Sequence, residues 1–290
     1  MIEKLILYGL VVFSIRENYQ RIVLSFYCSL QYDQNSFIVM ILELSHTEPM
    51  MKINFSLICL LLVNCILLSK SAFAAEHPGY IEAPERRTTG IGKFYMGREI
   101  SFVMGHRAAG WLNRPERIRE EMPDDVVENM RLKPGHVVAD IGAGSGYFSF
   151  RIASKIPDGK VLAVDIQPEM LQLIENQKNE RNVSNIESVL GEVSDPNLEL
   201  DSIDAAIMVD AYHEFSHPFE MINGIYNALR PGGRIFLLEY RGEDASVPIR
   251  PLHKMTQDQV RKEMDVFGLV WTETLDFLPW QHMMVFTKPF

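Results

Sequence analysis

An open α/β fold, a doubly wound sheet of mostly parallel strands, follows from three features of this sequence. Between residues 137 and 240 five short apolar runs alternate with helix-length amphipathic stretches. Alternation of that kind builds a parallel sheet with helices on both faces. The runs are apolar at nearly every position, as strands covered on both sides must be. The first leads through an acidic residue into a glycine turn, VVADIGAGSG at 137–146. The second, VLAVDI at 161–166, carries Asp165 near its end. Two such tips on neighbouring parallel strands form a nucleoside-binding crevice.

Taken in order, residues 1–49 hold two apolar runs, 5–13 and 37–44, with no continuing period. They read as a leader that is either absent from the native chain or without order. Residues 51–75, MKINFSLICLLLVNCILLSKSAFAA, have the three parts of a secretory signal peptide. Lys52 is the positive start, 53–68 the apolar core, and Ala72-Phe73-Ala74 the small-x-small cleavage site. Translation is therefore expected to begin at Met50 or Met51, with cleavage after Ala74 and export, to the periplasm in a two-membrane cell. No stable membrane span would then remain. The alternative is an anchor at 53–68, although a span takes about 20 apolar residues and this core is shorter and interrupted by Ser56 and Asn64. Cys28, Cys59 and Cys65, the three cysteines, all precede Ala75, which suits an oxidising destination. Residues 1–74 carry five basic and five acidic side chains, so the net charge of −10 belongs to the remainder. An acidic balance argues against nucleic acid as the substrate.

Residues 76–92 are rich in Gly, Pro and charge and read as a linker or extended arm. Residues 93–130 read as helical in two pieces, 100–112 and 115–130, with Pro115 in the first turn of the second. The expected domains are thus a leader at 1–49, a signal segment at 50–74, an N-terminal arm with helices at 75–130 and the α/β domain at 131–290. Strands are expected at 137–141, 161–166, 186–190, 203–209 and 234–240, and helices at 146–155, 168–177 and 218–229. Thr256 opens another helix with a capping-box pattern. Two strand-like runs, 269–275 and 282–287, finish the chain as an antiparallel hairpin.

The glycine spacing narrows the ligand. In the dinucleotide fingerprint G-x-G-x-x-G the third glycine lets helix and strand pack closely; counted from Gly142, that position is the bulky Tyr147. The pattern here is D-x-G-x-G-x-G from Asp140 to Gly146. An acidic strand tip suits a cationic ligand better than a pyrophosphate. DIGAGSG, VDIQPEM and, at 229–240, LRPGGRIFLLEY together resemble the class I S-adenosylmethionine (SAM)-dependent methyltransferases, over residues 131 to 290. The resemblance implies a Rossmann-like, seven-stranded methyltransferase sheet and SAM as cofactor. It implies that Asp140, Gly142 and Gly144 line the methionine end and that Asp165 takes the ribose hydroxyls. Ile166 would pack on the adenine, and Glu192 would sit near the adenine edge. The upstream helices would lie across the opening as a lid, with Trp111, Arg114 and Arg117 among the candidates.

The segment after the fourth strand, Val209-Asp210-Ala211-Tyr212-His213-Glu214-Phe215, faces the same crevice. Asp210 is assigned to the methionine end of SAM. Histidine is the side chain able to titrate near neutrality, so His213 is the candidate proton acceptor. Tyr212 would flank the sulfonium or substrate, and Glu214 would orient His213. The alternative is that His213 caps the next helix and the aromatics are packing. Residues 239–244 and His253 are either substrate wall or a solvated loop. A metal site is not expected: residues 75–290 hold no Cys, and no two histidines stand four apart on one helix. Ser145 lies outside a G-x-S-x-G elbow. The sequence thus reads as an exported methyltransferase with a small-molecule acceptor. The alternative is a non-catalytic SAM-fold binding or scaffold protein.

Overall fold

The computed structural model describes residues 77–83 and 89–290 and, within 1–76, the backbone of four strands. The chain divides into two units, Met1–Ala74 and Ala75–Phe290. In the first, strands β1 (Ile6–Tyr8), β2 (Ser14–Asn18), β3 (Arg21–Gln31) and β4 (Ile38–Ser45) pair antiparallel, with β3 bonded to the other three. The expected signal segment, 50–74, lies outside the described residues.

The second unit opens with a three-stranded antiparallel sheet, β5 (Tyr80–Glu82), β6 (Gly90–Tyr95) and β7 (Arg98–Ser101). This corrects the reading of residues 93–101 as helical; within 76–92, read as a linker or extended arm, residues 80–82 and 90–92 are extended as strands. The cause is local. Tyr95 pairs with Arg98, leaving Met96-Gly97 as a two-residue turn with φ of 48° and 102°. Two positive φ values give the twist that joins antiparallel strands. The helical stretch begins only at His106–Ala108, one 3₁₀ turn, and continues as α1 (Ala109–Leu112). The expected helix over 115–130 is split into α2 (Arg117–Glu121) and α3 (Pro123–Asn129). Pro123 disfavours helical backbone at the residue before it, and Met122 accordingly takes φ +43°.

The main sheet follows the sequence closely. Strands β8 (Val137–Ile141), β9 (Lys160–Asp165), β10 (Ile186–Leu190), β11 (Ile203–Val209) and β12 (Leu229–Arg241) run parallel, and β13 (Lys254–Met255) extends the tip of β12. The final hairpin, β14 (Val270–Leu275) and β15 (Gln281–Thr287), joins antiparallel. The order is β10-β9-β8-β11-β12-β15-β14. The helices are α4 (Ser149–Lys155), α5 (Pro168–Arg181), α6 (Pro218–Ala228) and α7 (Gln257–Asp265). Alternate residues of β11 feed opposite faces: Ala205 and Ile207 join one core, Ala206 and Met208 the other. That is why the strand is apolar from Ala205 onward. The winding reverses between β8 and β11, so the crevice lies at the carboxyl ends of these two strands.

One buried group in this sheet sets a pH dependence. His282, on β15, is fully buried and neither ring nitrogen has a hydrogen-bond partner among the described residues. Burial pushes its pKa down to about 4, against which Glu243, 4.0 Å away, offsets only part. A histidine whose folded pKa is depressed binds fewer protons than in the unfolded chain between the two values. Stability is then lost as pH falls from about 6.5 toward 4. Relative to His282→Leu, the protein is expected to lose about 2 kcal/mol between pH 7 and pH 5. Urea unfolding of both proteins at the two pH values measures this, and parallel losses would refute it.

Candidate active site

A cavity of about 670 Å³ opens above the tips of β8, β9, β11 and β12, a size that encloses a small organic ligand. The glycine turn after β8 forms its floor. The N–H groups of Gly142 and Ala143 both donate to the Val164 carbonyl, at 2.9 and 3.0 Å, which ties the turn to β9. Gly142 and Gly144 have φ of 73° and 56°. A Cβ on Gly142 would come within 2.8 Å of Ala211 Cβ, and one on Gly144 within 2.6 Å of Leu112 Cδ1. Both positions therefore require glycine for conformation and for space.

Asp165, at the tip of β9, is 7% exposed and on the cavity wall. Its Oδ2 accepts from the Gly144 N–H and its Oδ1 from the Gln167 N–H, both at 2.9 Å. Burial raises its pKa, and these N–H groups oppose the rise. Ile166 and Glu192 share this wall. The Gln167 side chain bridges to the arm, accepting from the His106 N–H and donating to the Met104 carbonyl. Trp111, Arg114 and Arg117 of the arm also line the cavity, with Arg114 stacked 3.9 Å above the Trp111 ring. Tyr95, Arg98 and His106 are not on the wall.

Asp210 follows β11 with φ +49° and faces the cavity. Its Oδ2 accepts from Gln281 Nε2 at 2.7 Å, while its buried Oδ1 has no hydrogen-bond partner among the described residues. Burial drives its pKa well above the carboxylate range, and the nearby Glu121 and Glu239 carboxylates add to that. Asp140 departs from expectation. It lies behind the glycine turn rather than on the main wall, in a small recess shared with Arg117, and its Oδ2 accepts from Ser149 Oγ at 2.6 Å. Burial lifts its pKa to about 6, opposed by Ser149 and Arg117.

The 3₁₀ turn Tyr212–Glu214 sends its three adjacent side chains to two places, Tyr212 away from the cavity and His213 and Glu214 onto its wall. Tyr212 is 0% exposed and off the cavity wall, which corrects its assignment as a residue facing the substrate. Its hydroxyl donates to Glu263 Oε2 at 2.6 Å, in a buried cluster where Arg98 binds the same carboxylate through Nε and Nη2. His213 is 2% exposed yet lies on the wall. Its Nδ1 is 2.6 Å from Glu239 Oε2 and its Nε2 is 3.0 Å from His253 Nδ1. Glu214 Oε2 accepts from the Met104 N–H, leaving Oε1 3.9 Å from His213 Nε2 and 3.7 Å from His253 Nδ1.

Burial pushes both imidazoles down to about 4, so both are neutral at pH 7. For His213 the Glu214 carboxylate opposes this and Arg98 adds to it; for His253 the neighbouring His213 adds to it. Glu239, fully buried beneath His213, rises to about 8 for the same cause.

The fold thus joins His213 and Glu214 to His253, a grouping able to hold a metal ion and one that the residue spacing does not foreshadow. Glu239 supports His213 from below instead of lining the substrate wall. The Arg98–Glu263 pair that anchors the turn from behind has no local signature at all.

A family model described as a methyltransferase domain matches residues 132–282. The arsenite methyltransferase of Halobacterium salinarum is 30% identical over 105 residues, 36% of this chain and 27% of that protein. A tRNA U34 carboxymethyltransferase of Desulfotalea psychrophila is 28% identical over 133 residues, 46% of this chain and 38% of that protein. The chain thus spans only about a quarter to two-fifths of the length of these curated relatives. The crystal structure of a SAM-dependent methyltransferase from Aquifex aeolicus superposes with a TM-score of 0.61 at 20% identity, covering 64% of this chain and 99% of that one. At that identity the likeness concerns the fold.

Proposed function

The chain belongs to the methyltransferase-domain family, and from that premise we propose that it transfers a methyl group from SAM to a small acceptor. When bound, SAM supplies a methyl group already activated by a sulfonium, so the protein's task is positioning. The residues present fit the cofactor. Gly142 and Gly144 keep the floor clear of side chains, and Asp210 offers for the ammonium of the methionine end an Oδ1 that has no partner among the described residues. Asp165, oriented by two backbone N–H groups, has lone pairs left for the ribose hydroxyls. Ile166 would lie against the adenine and Glu192 at its edge. The single observation that carries this reading is Asp165 and Asp210 facing one cavity across the glycine turn.

We assign the acceptor end to the part of the wall where His213, Glu214 and His253 converge. There the chain's own groups would hold the nucleophilic atom as its proton leaves. The net charge of −10 and the cavity volume support a small acceptor. The relative acting on tRNA makes nucleic acid the competing arm of the test.

The experiment is calorimetric titration of the full chain with SAM, followed by transfer of labelled methyl groups to a metabolite extract and to total tRNA. Micromolar SAM binding with label in the small-molecule fraction is expected. Binding without transfer to either fraction would leave a non-catalytic SAM-binding scaffold. No binding would remove the methyltransferase reading.

Export also belongs to this reading. It rests on the signal-like run at 51–75 and on residues 75–290 having no cysteine. No helix among the described residues is long and apolar enough to cross a membrane. The first residue of the mature protein decides between cleavage, which gives Ala75, and an anchor at 53–68.

A further inference from the structure

Three side chains on the acceptor wall present ligand atoms around one point. His213 Nε2 and His253 Nδ1 are 3.0 Å apart, and Glu214 Oε1 is 3.9 Å from the first and 3.7 Å from the second. A circle through atoms so spaced has a radius of about 2.1 Å, the length of a zinc–nitrogen or zinc–oxygen bond. The two rings stand nearly perpendicular, at 81°, so one does not cover the other.

What lies behind the ligand atoms points the same way. A metal-binding histidine commonly donates its second N–H to a carboxylate, which fixes the tautomer and aims the free lone pair. His213 has a carboxyl group in that place, Glu239, at 2.6 Å and fully buried, and a bound cation would favour its ionised form. The remaining oxygen of Glu214 is fixed by the Met104 N–H at 3.0 Å. Two imidazoles and one carboxylate are the donor set of catalytic zinc centres that keep a position open. Magnesium and calcium favour oxygen ligands throughout.

We propose that His213, Glu214 and His253 bind a divalent transition-metal ion, zinc or a close relative, at the acceptor end of the cavity. The role of the ion rests on the methyltransferase reading; its binding does not. An acceptor coordinated there would be an alcohol, phenol or thiol. On coordination its O–H or S–H bond breaks, the electron pair stays on the heteroatom and the proton leaves to solvent. Oxygen and sulfur keep a further lone pair for reaction, which a coordinated amine lacks. The site therefore selects ionisable hydroxyl or thiol acceptors.

The test is titration of the full chain, stripped with chelator, with zinc by calorimetry and with cobalt(II) by visible absorption. Wild type, His253→Ala, Glu214→Gln and Glu239→Gln are compared, and SAM affinity is measured on every sample. One equivalent of zinc is expected to be lost or weakened at least tenfold in the first two variants. Glu239→Gln weakens it about tenfold through the orientation of His213. SAM affinity in His253→Ala stays within a few-fold of wild type, which reports that the variant is folded. Zinc held by Cys28, Cys59 or Cys65 is unaffected by these substitutions, so the difference between wild type and variant isolates the trio. Identical zinc stoichiometry and cobalt spectra in wild type and both ligand variants would overturn the proposal. Zinc binding in a protein that does not bind SAM would keep the metal site and remove the methyltransferase reading; SAM binding without zinc would do the reverse.

Discussion

Asp165→Ala is expected to weaken SAM binding by at least about 100-fold, because hydrogen bonds to a charged group contribute about 1.5–3 kcal/mol each and two are lost. The side chain is held for this task. Its two oxygens accept from Gly144 and Gln167 at the foot of the cavity, so it cannot swing away from a ligand. Removing it also leaves the Gly144 N–H without its acceptor, which loosens the turn that forms the floor. Asp165→Asn keeps one acceptor oxygen and is expected to fall between alanine and wild type. Calorimetry with SAM and with its demethylated product measures all three. A Kd for Asp165→Ala within threefold of wild type would move the cofactor to another part of the cavity.

Glu263→Ala is expected to destabilise the second unit by about 3–5 kcal/mol, since removing one partner of a buried ion pair strands the other charge. For a unit of this size that is a fall in Tm of roughly 10 °C. Glu263 is fully buried and accepts from Arg98, Tyr212 and Gln259. Arg98 in turn donates to the His213 carbonyl at 3.3 Å, so the loss reaches the active-site turn. Replacing both partners by leucine is expected to recover most of the stability, because no charge then remains buried. Thermal melts of the single and double variants check this. A single-variant cost under about 1 kcal/mol would mean that Arg98 reaches solvent when its partner is gone.

The sequence by itself determined the elements whose cause is local. Strands 137–141 and 203–209 match β8 and β11 residue for residue, because central strands covered on both faces are apolar at most positions; 186–190 matches β10 at the sheet edge, where the polar Glu187 and Ser188 are tolerated. The glycine turn and Asp165 were legible for a related reason: backbone with positive φ beside a ligand admits little except glycine, and the acidic residue stands at the strand tip. The Met96-Gly97 hairpin was not legible, since its side chains resemble those of a helix and only the backbone marks the turn.

Tertiary structure alone decided which groups share the site. Parallel pairing sets Val209 beside Leu238, so the turn after β11 meets Glu239 on β12, and His253 arrives from beyond the end of that strand. The same turn rotates Tyr212 away from the cavity while leaving His213 in it. Spacing along the chain carries no trace of contacts across 26 or 40 residues, because strand register and the direction of a loop, rather than residue type, bring those atoms together.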